Sequence, residues 1–188
     1  IPVQPDMNGV LDKDRMVETI NKTEENGAIF SALHSVEKAY EDAPNVHQIC
    51  GALYSLLGED DDAFVSARAI QLFAPGTPQI YYEGLLGGTH CREGYERTKD
   101  GRELNRRNYS REEVAEAVKR PRAQRILNLI RYRKDRKFYE GDFSLASEGG
   151  KLLMTWQKDG ITQLEVDLNS GRSRVIETDG DLERVIEL

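Results

Sequence analysis

The spacing of apolar residues changes part-way along this chain, and the change divides it. Up to about Lys137 the longer regular segments repeat their apolar positions at a helical period near 3.6, with loops between them; from Phe138 the period falls to 2. Asp12 through Asn26 reads as a helix capped by Asp12, with Met16, Ile20 and Val17 on the apolar side and Gly27 as the stop. Ile1 to Leu11, with three turn-formers, reads as a loop. Ile29 to Tyr40 has no single period and is compatible with a short second helix, and Pro44 to Gly58 reads as a loop leading into a buried segment. Ala63 to Phe73 is a helix with Val65, Ala69, Leu72 and Phe73 as its buried stripe. Asp60, Asp61 and Asp62 precede it, where negative charge complements the helix dipole and caps free amides; an acidic triplet can also bind a cation, the weaker reading.

Pro75-Gly76-Thr77-Pro78 then enforces a turn, and Gln79 to Tyr82, short and rich in β-formers, reads as a buried strand. From Glu83 to Asn108 the glycines at 84, 87, 88, 94 and 101 predict a long loop, a length that compact domains tolerate mainly where the loop has work to do. Ser110-Arg111-Glu112-Glu113 is a capping box opening a helix to Lys119. Pro121 restarts the helix, and Ile126, Leu127, Ile130 and Tyr132 supply packing to about Lys137. Five strand candidates follow: Phe143 to Ala146, Leu152 to Gln157, Ile161 to Leu168, Arg172 to Glu177 and Leu182 to Leu188. The pairs Gly149-Gly150, Asp159-Gly160 and Asp179-Gly180 and the triplet Asn169-Ser170-Gly171 separate them as hairpin turns. The pattern predicts an α/β protein whose tail is a small antiparallel sheet.

Composition narrows the function. The chain has 188 residues, 38% apolar and 31% charged, with a formal charge of −7. That balance argues against a general nucleic-acid binder; of the local basic runs, Arg102 to Arg107 and Arg120 to Lys137, the second lies on a predicted helix interleaved with apolar residues and reads as a solvated face. No apolar run approaches the length of a membrane span, and no signal peptide is evident. Cys50 and Cys91 lie far apart without a CxxC partner, so neither a metal site nor a structural disulfide is expected, which fits a reducing cytoplasm. His34, His47 and His90 show no zinc-binding spacing.

Few residues carry chemistry. Arg102 and Arg106 offer guanidinium forks beside Asn105 on the long loop, suited to hydroxyls, carboxylates and phosphates; pairing with neighbouring carboxylates is the competing reading. Asn45, His47 and Gln48 gather three polar side chains after Pro44. His90, Cys91 and Glu93 imitate a nucleophile cluster in sequence only, and adjacency along the chain is not triad geometry. No pair of carboxylates stands out as an acid and a nucleophile.

The stretch Ala74 to Gly88, with Tyr81-Tyr82-Glu83-Gly84 at its centre, resembles the last barrel strand and following loop of sucrose phosphorylases, members of glycoside hydrolase family 13 in the α-amylase superfamily. The resemblance continues through Gly101-Arg102-Glu103-Leu104-Asn105-Arg106, Val118-Lys119-Arg120-Pro121, Tyr54 to Gly58 and Ala67 to Phe73, covering roughly residues 1 to 145. It implies the C-terminal part of a (β/α)8 barrel with a loop and helix insertion. Residues 1–58 would be the insertion after barrel strand 7, carrying the acceptor loop. Residues 59–137 would be the last barrel helix-strand-helix unit and residues 138–188 the antiparallel β domain.

The implied activity is phosphorolysis of an α-glucoside with retention, by double displacement on two carboxylates. None of those catalytic residues is expected in this chain, which would begin just after the family's His-Asp pair. No cofactor or metal is implied; sugar and inorganic phosphate are the partners, and the N-terminal barrel portion is required. Arg102 resembles the arginine that holds the glucosyl unit. Asn45, His47 and Gln48 fall where sucrose phosphorylases usually carry Asp, Tyr and Gln on the acceptor loop. Replacing Asp removes a negative charge and replacing Tyr brings an imidazole donor, so an anionic acceptor such as fructose 6-phosphate or glycerate is expected over fructose. The other readings are a non-catalytic carbohydrate-binding or interaction module and a hydrolase or transglucosidase of the same superfamily. On its own the chain is expected to be aggregated or partly folded, and catalytically silent.

Overall fold

The computed structural model describes Val3 and residues 10–31 and 45–188. In chain order the elements are α1 (Lys13–Glu25), β1 (Ile29–Ser31), β2 (Gln48–Cys50), α2 (Leu53–Leu56), α3 (Asp61–Phe73), α4 (Tyr82–Leu86), α5 (Arg92–Thr98), α6 (Arg111–Ala117), α7 (Pro121–Arg136), and then β3 (Asp142–Glu148), β4 (Lys151–Gln157), β5 (Ile161–Asp167), β6 (Ser173–Asp179) and β7 (Leu182–Glu187). Two 3-10 helices, Gly101–Asn105 and Phe138–Glu140, interrupt the series. The chain divides into two compact units: Ile1–Glu59 with Gly88–Tyr109, and Asp60–Gly87 with Ser110–Leu188.

In the first unit, α1 is capped as its sequence demands. Asp12 Oδ1 accepts from the amides of Asp14 (2.9 Å) and Arg15 (3.3 Å), and Gly27 follows the helix at φ 83°. Met16 and Ile20, four residues apart on one face, pack with Val3, Ala28, Ile49 and Leu56. Val17 does not join them: it is turned about 100° round the helix and is 37% exposed. The segment read as a possible second helix opens instead as strand β1, because β2 pairs with it antiparallel in the register Ile29↔Cys50, Phe30↔Ile49, Ser31↔Gln48. Likewise Pro44 to Gly58 is not all loop, since it holds β2 and α2. Most of the loop expected over residues 1–11, and residues 32–44, lie outside the described residues.

The second unit is built on the tail sheet. Its five strands form a meander in the order β3-β4-β5-β6-β7, every pair antiparallel. Between β3 and β4, Gly149 and Gly150 both take positive φ (57° and 79°), the conformation a two-residue hairpin needs and that side chains resist. Alternation puts Met154 and Trp156 of β4, Leu164 and Val166 of β5 and Val175 of β6 on the buried face. Against it pack Phe64, Val65, Ala69, Leu72 and Phe73 of α3, with Ala123, Ile126 and Leu129 of α7; each large side chain buried there contributes about 1.5–3 kcal/mol.

Helix α3 begins two residues earlier than the apolar pattern suggested, because Asp60 is its cap: Asp60 Oδ1 accepts from Ala63 N at 2.9 Å. Asp61 and Asp62 are engaged by arginines, Arg122 at 3.4 Å and Arg125 at 2.7 Å. Its C-terminal end is tied down by side chains. Trp156 Nε1 donates to Phe73 O (2.8 Å), and buried Arg133 donates to the carbonyls of Leu72 and of Gly76, the latter at 2.9 Å. Ser66 Oγ bonds Gly171 O at 2.7 Å, joining α3 to the β5–β6 turn. The Ser110–Glu113 capping box is formed in both directions (3.1 and 2.8 Å), though α6 ends at Ala117 and not at Lys119. On α7, Leu127, Ile130 and Tyr132 are only half-buried; the inward positions are Ala123, Ile126, Leu129 and Arg133.

Two expectations fail around Glu83. Gln79 to Tyr82 is not a strand: Tyr81 keeps an extended backbone (φ −72°, ψ 147°), but no strand of the described residues pairs with it, and Tyr82 starts α4. A strand is defined by its ladder, which local propensity cannot supply. Nor is Glu83 to Asn108 one long loop. It contains α4, α5 and the 3-10 helix Gly101–Asn105; Gly87, left-handed at φ 61°, closes α4 and does not mark unstructured chain.

Candidate functional site

All four residues singled out as sugar contacts lie in the first unit. The segment 45–48 leads into β2 and is fixed by its backbone: His47 N donates to Ser31 O at 2.7 Å, and His47 O accepts from Val3 N at 2.9 Å. Gln48 stands opposite Ser31 in the ribbon, and Asn45, His47 and Gln48 are all half-buried. Arg102 is exposed on the 3-10 helix Gly101–Asn105. That helix is capped by Asp100, whose Oδ1 accepts from Arg102 N at 2.9 Å, and anchored by Leu104, which is fully buried.

Gly101 sets the approach of this helix to the ribbon. A Cβ there would stand 3.0 Å from Ile29 Cγ2 and 3.2 Å from Cys50 Cβ, so the two segments meet at backbone distance. The fold thereby gathers the 45–48 segment and the Arg102 helix on one two-stranded frame, though 54 or more residues separate them in sequence. Arg106 is paired with Glu103 at 3.3 Å, so the second guanidinium of the motif is engaged.

His90 was weighed as one of a nucleophile cluster and has a different place. Both ring nitrogens are engaged away from Cys91: Nδ1 with Ala52 N (3.0 Å) and Nε2 with Asn26 O (3.1 Å). Burial, reinforced by Arg92, holds the imidazole below its ordinary pKa against the opposing pull of the Asn26 carbonyl and Glu59. The His90 ring is therefore not aimed at the Cys91 thiol as a general base. Cys50 and Cys91 are free. Among the described residues no group of His, Cys, Asp or Glu is arranged to hold a metal ion, and no helix is long and apolar enough to cross a membrane.

The second unit holds a cavity of about 370 Å³ beside Trp156, Lys158, Glu177 and Arg184. Its central carboxylate is already saturated. Glu177 accepts from Tyr132 OH at 2.8 Å and from Arg136 Nε at 2.9 Å, and burial with that carboxylate drives the Tyr132 phenol above its ordinary pKa. Such a network braces the sheet against α7.

No family model matches the chain. The crystal structure of sucrose 6F-phosphate phosphorylase from Thermoanaerobacter thermosaccharolyticum superimposes on it with a TM-score of 0.92 at 37% identity, covering 100% of this chain and 39% of that one. The chain is homologous to the sucrose phosphorylase group. The curated sucrose 6(F)-phosphate phosphorylase of Thermoanaerobacterium thermosaccharolyticum is 41% identical over 177 residues, 93% of this chain and 36% of the relative. Sucrose phosphorylase of Streptococcus mutans is 36% identical over 180 residues, and glucosylglycerol phosphorylase of Marinobacter adhaerens 35% over 184. The chain thus spans rather more than a third of the length of the relatives it matches, 36% to 37% of these three.

Proposed function

We propose that the chain is the C-terminal part of a retaining glucoside phosphorylase, supplying substrate-binding residues to a catalytic centre carried by the rest of a (β/α)8 barrel. The observation that carries this reading is the superposition over the whole chain on a sucrose 6F-phosphate phosphorylase at a TM-score of 0.92. In it, residues 1–58 are the insertion bearing the acceptor loop, 59–137 the last barrel helix-strand-helix unit and 138–188 the C-terminal β domain. An aspartate outside this chain attacks the anomeric carbon, a glutamate protonates the leaving oxygen, and phosphate takes the glucosyl group to give α-glucose 1-phosphate. No cofactor enters the cycle, and a reducing cytoplasm suits the two free cysteines.

Arg102 is assigned to the glucosyl unit, and Asn45, His47 and Gln48 to the acceptor. Two features support an anionic acceptor, a sugar phosphate or glycerate: no carboxylate occurs within residues 45–48, and His47 supplies a donor there. The test is phosphorolysis of sucrose, sucrose 6-phosphate and glucosylglycerate by the intact enzyme. An anionic substrate is expected to lead by at least about tenfold in kcat/KM, since a single charge-assisted hydrogen bond supplies about 1.5–3 kcal/mol. A clear preference for sucrose overturns the acceptor assignment, and release of glucose without phosphate overturns the phosphorylase.

A further inference from the structure

We infer that His90 is a positioning residue whose neutral ring clamps together the segments that carry Asn45, His47, Gln48 and Arg102. The ring acts at a three-way junction. Its Nε2 faces the carbonyl of Asn26, which can only accept, so Nε2 carries the proton; its Nδ1 faces the amide of Ala52, which can only donate, so Nδ1 is bare. Asn26 closes α1 three residues before β1, and Ala52 follows the end of β2 by two. One neutral tautomer thus ties both strands of the β1–β2 ribbon together at its Ile29–Cys50 end.

The backbone extends the clamp to the third segment. His90 N donates to Ser55 Oγ at 3.1 Å, and the next residue, Cys91, donates its amide to Leu104 O at 2.9 Å, inside the 3-10 helix that begins Gly101-Arg102. The site is shaped for the ring: a Cβ on Gly51 would stand 2.6 Å from its Cε1. A doubly protonated ring donates at both nitrogens and cannot accept from Ala52, so the clamp opens on protonation. The charged groups facing it are Arg92, bonded to Gly27 O at 2.9 Å and opposing a second positive charge, and Glu59, which favours one and accepts from Ser55 Oγ at 3.1 Å.

The clamp rests on the proposed function only for its consequence in catalysis, and the test separates the two. Hydrogen–deuterium exchange by mass spectrometry is measured on wild type, His90→Leu and His90→Gln, corrected for intrinsic exchange. His90→Leu is expected to raise exchange in residues 45–52 and 101–106 on the order of tenfold, with 142–187 unchanged. His90→Gln, which keeps one acceptor and one donor, restores much of the protection. Wild type loses protection in the same two segments as pH falls through the imidazole's folded value, which burial sets below the ordinary 6.5. Unchanged exchange in His90→Leu, or a rise spread evenly over the chain, overturns the clamp. Should His90→Leu fail to fold, the wild-type pH series decides, and equal protection of the two segments on either side of the imidazole titration overturns it.

In the full-length phosphorylase His90→Leu raises KM for the acceptor more than it lowers kcat, because it loosens binding segments and touches no reacting atom. Full-length wild-type protein that shows the exchange pattern without any phosphorolysis counts against the proposed function and leaves the clamp standing.

Discussion

Arg133 should be the most sensitive charged position in the second unit. Only 8% exposed, it donates to the carbonyls of Leu72 and Gly76 and lies 4.3 Å over the Tyr139 ring, closing the free end of α3 and the turn at Pro75-Gly76. Replacing it with Met keeps most of the aliphatic volume and removes both donors. Each charge-assisted bond is worth about 1.5–3 kcal/mol and the ring contact about 1 kcal/mol, so the gross loss is about 4–7 kcal/mol. Burial already holds this guanidinium below its ordinary pKa, so part of that sum is returned when the buried charge is removed. The expected net loss for Arg133→Met is about 3 kcal/mol, and about half that for Arg133→Lys, whose ammonium can serve one carbonyl well but not both. Trp156 is the only tryptophan in the chain and bonds the neighbouring carbonyl of Phe73, so its fluorescence in a urea titration reports on this junction. At an m-value of roughly 1–3 kcal/mol/M the midpoint should fall by roughly 1–3 M. A Met variant within about 0.5 kcal/mol of wild type would refute the claim that the helix end depends on these bonds.

Four further outcomes are expected. Ser110→Ala removes one half of a reciprocal capping box and should lower stability by about 1 kcal/mol, read as a drop in melting temperature. Gly101→Ala drives a methyl to within 3.0–3.3 Å of Ile29 and Cys50; it should displace the 3-10 helix, destabilise the first unit by about 1–3 kcal/mol and raise KM for the glucosyl donor in the intact enzyme. The Asp167 carboxyl is held below its ordinary value by the amides of Ser170 and Asn169, so its contribution is present above about pH 4 and lost as pH falls through the lower folded value; Asp167→Asn should flatten the acid limb of a pH–stability curve. Tyr81 and Tyr82, 47% and 39% exposed, should make the chain self-associate when isolated, and replacing both with Ser should raise the monomer fraction in sedimentation velocity.

What could be read from the sequence was whatever short-range chemistry decides. Asp12, Asp60 and Ser110 announce their helices because a cap is a bond between neighbours, and Gly149-Gly150 announces its hairpin because the turn needs positive φ in place. The period-2 tail gave five strands within a few residues of their observed ends, since alternation buries one face of β4, β5 and β6 and hairpin turns pair the outer strands to them. Where partners are distant the reading failed. Residues 29–31 became a strand only because Gln48–Cys50 pairs with them, and Arg133 entered the core only because the end of α3 offered carbonyls about 60 residues upstream. The candidate site shows the same boundary. Arg102 and the 45–48 segment were legible as residue types, while the place of His90 was not, for nothing adjacent in sequence shows that its ring is spent on Asn26 and Ala52.

The segment before α4 carries this distinction furthest. Ile80, Tyr81 and Tyr82 have the side chains of a buried strand, and Tyr81 has the backbone of one, yet both tyrosines are exposed and their rings lie against each other at 4.3 Å. Around Ile80 a cavity of about 400 Å³ is lined by Leu72, Pro78, Ile130 and Tyr139. Local preference has set the dihedrals, but hydrogen-bonded neighbours are what turn extended chain into sheet, and no described residue provides them. An apolar stretch with extended backbone and no ladder among the described residues is consistent with the barrel strand of the proposed reading. The apolar sequence of Ile80, Tyr81 and Tyr82 suits burial on both faces, the environment of a parallel barrel strand, whereas both tyrosines are exposed in this structure.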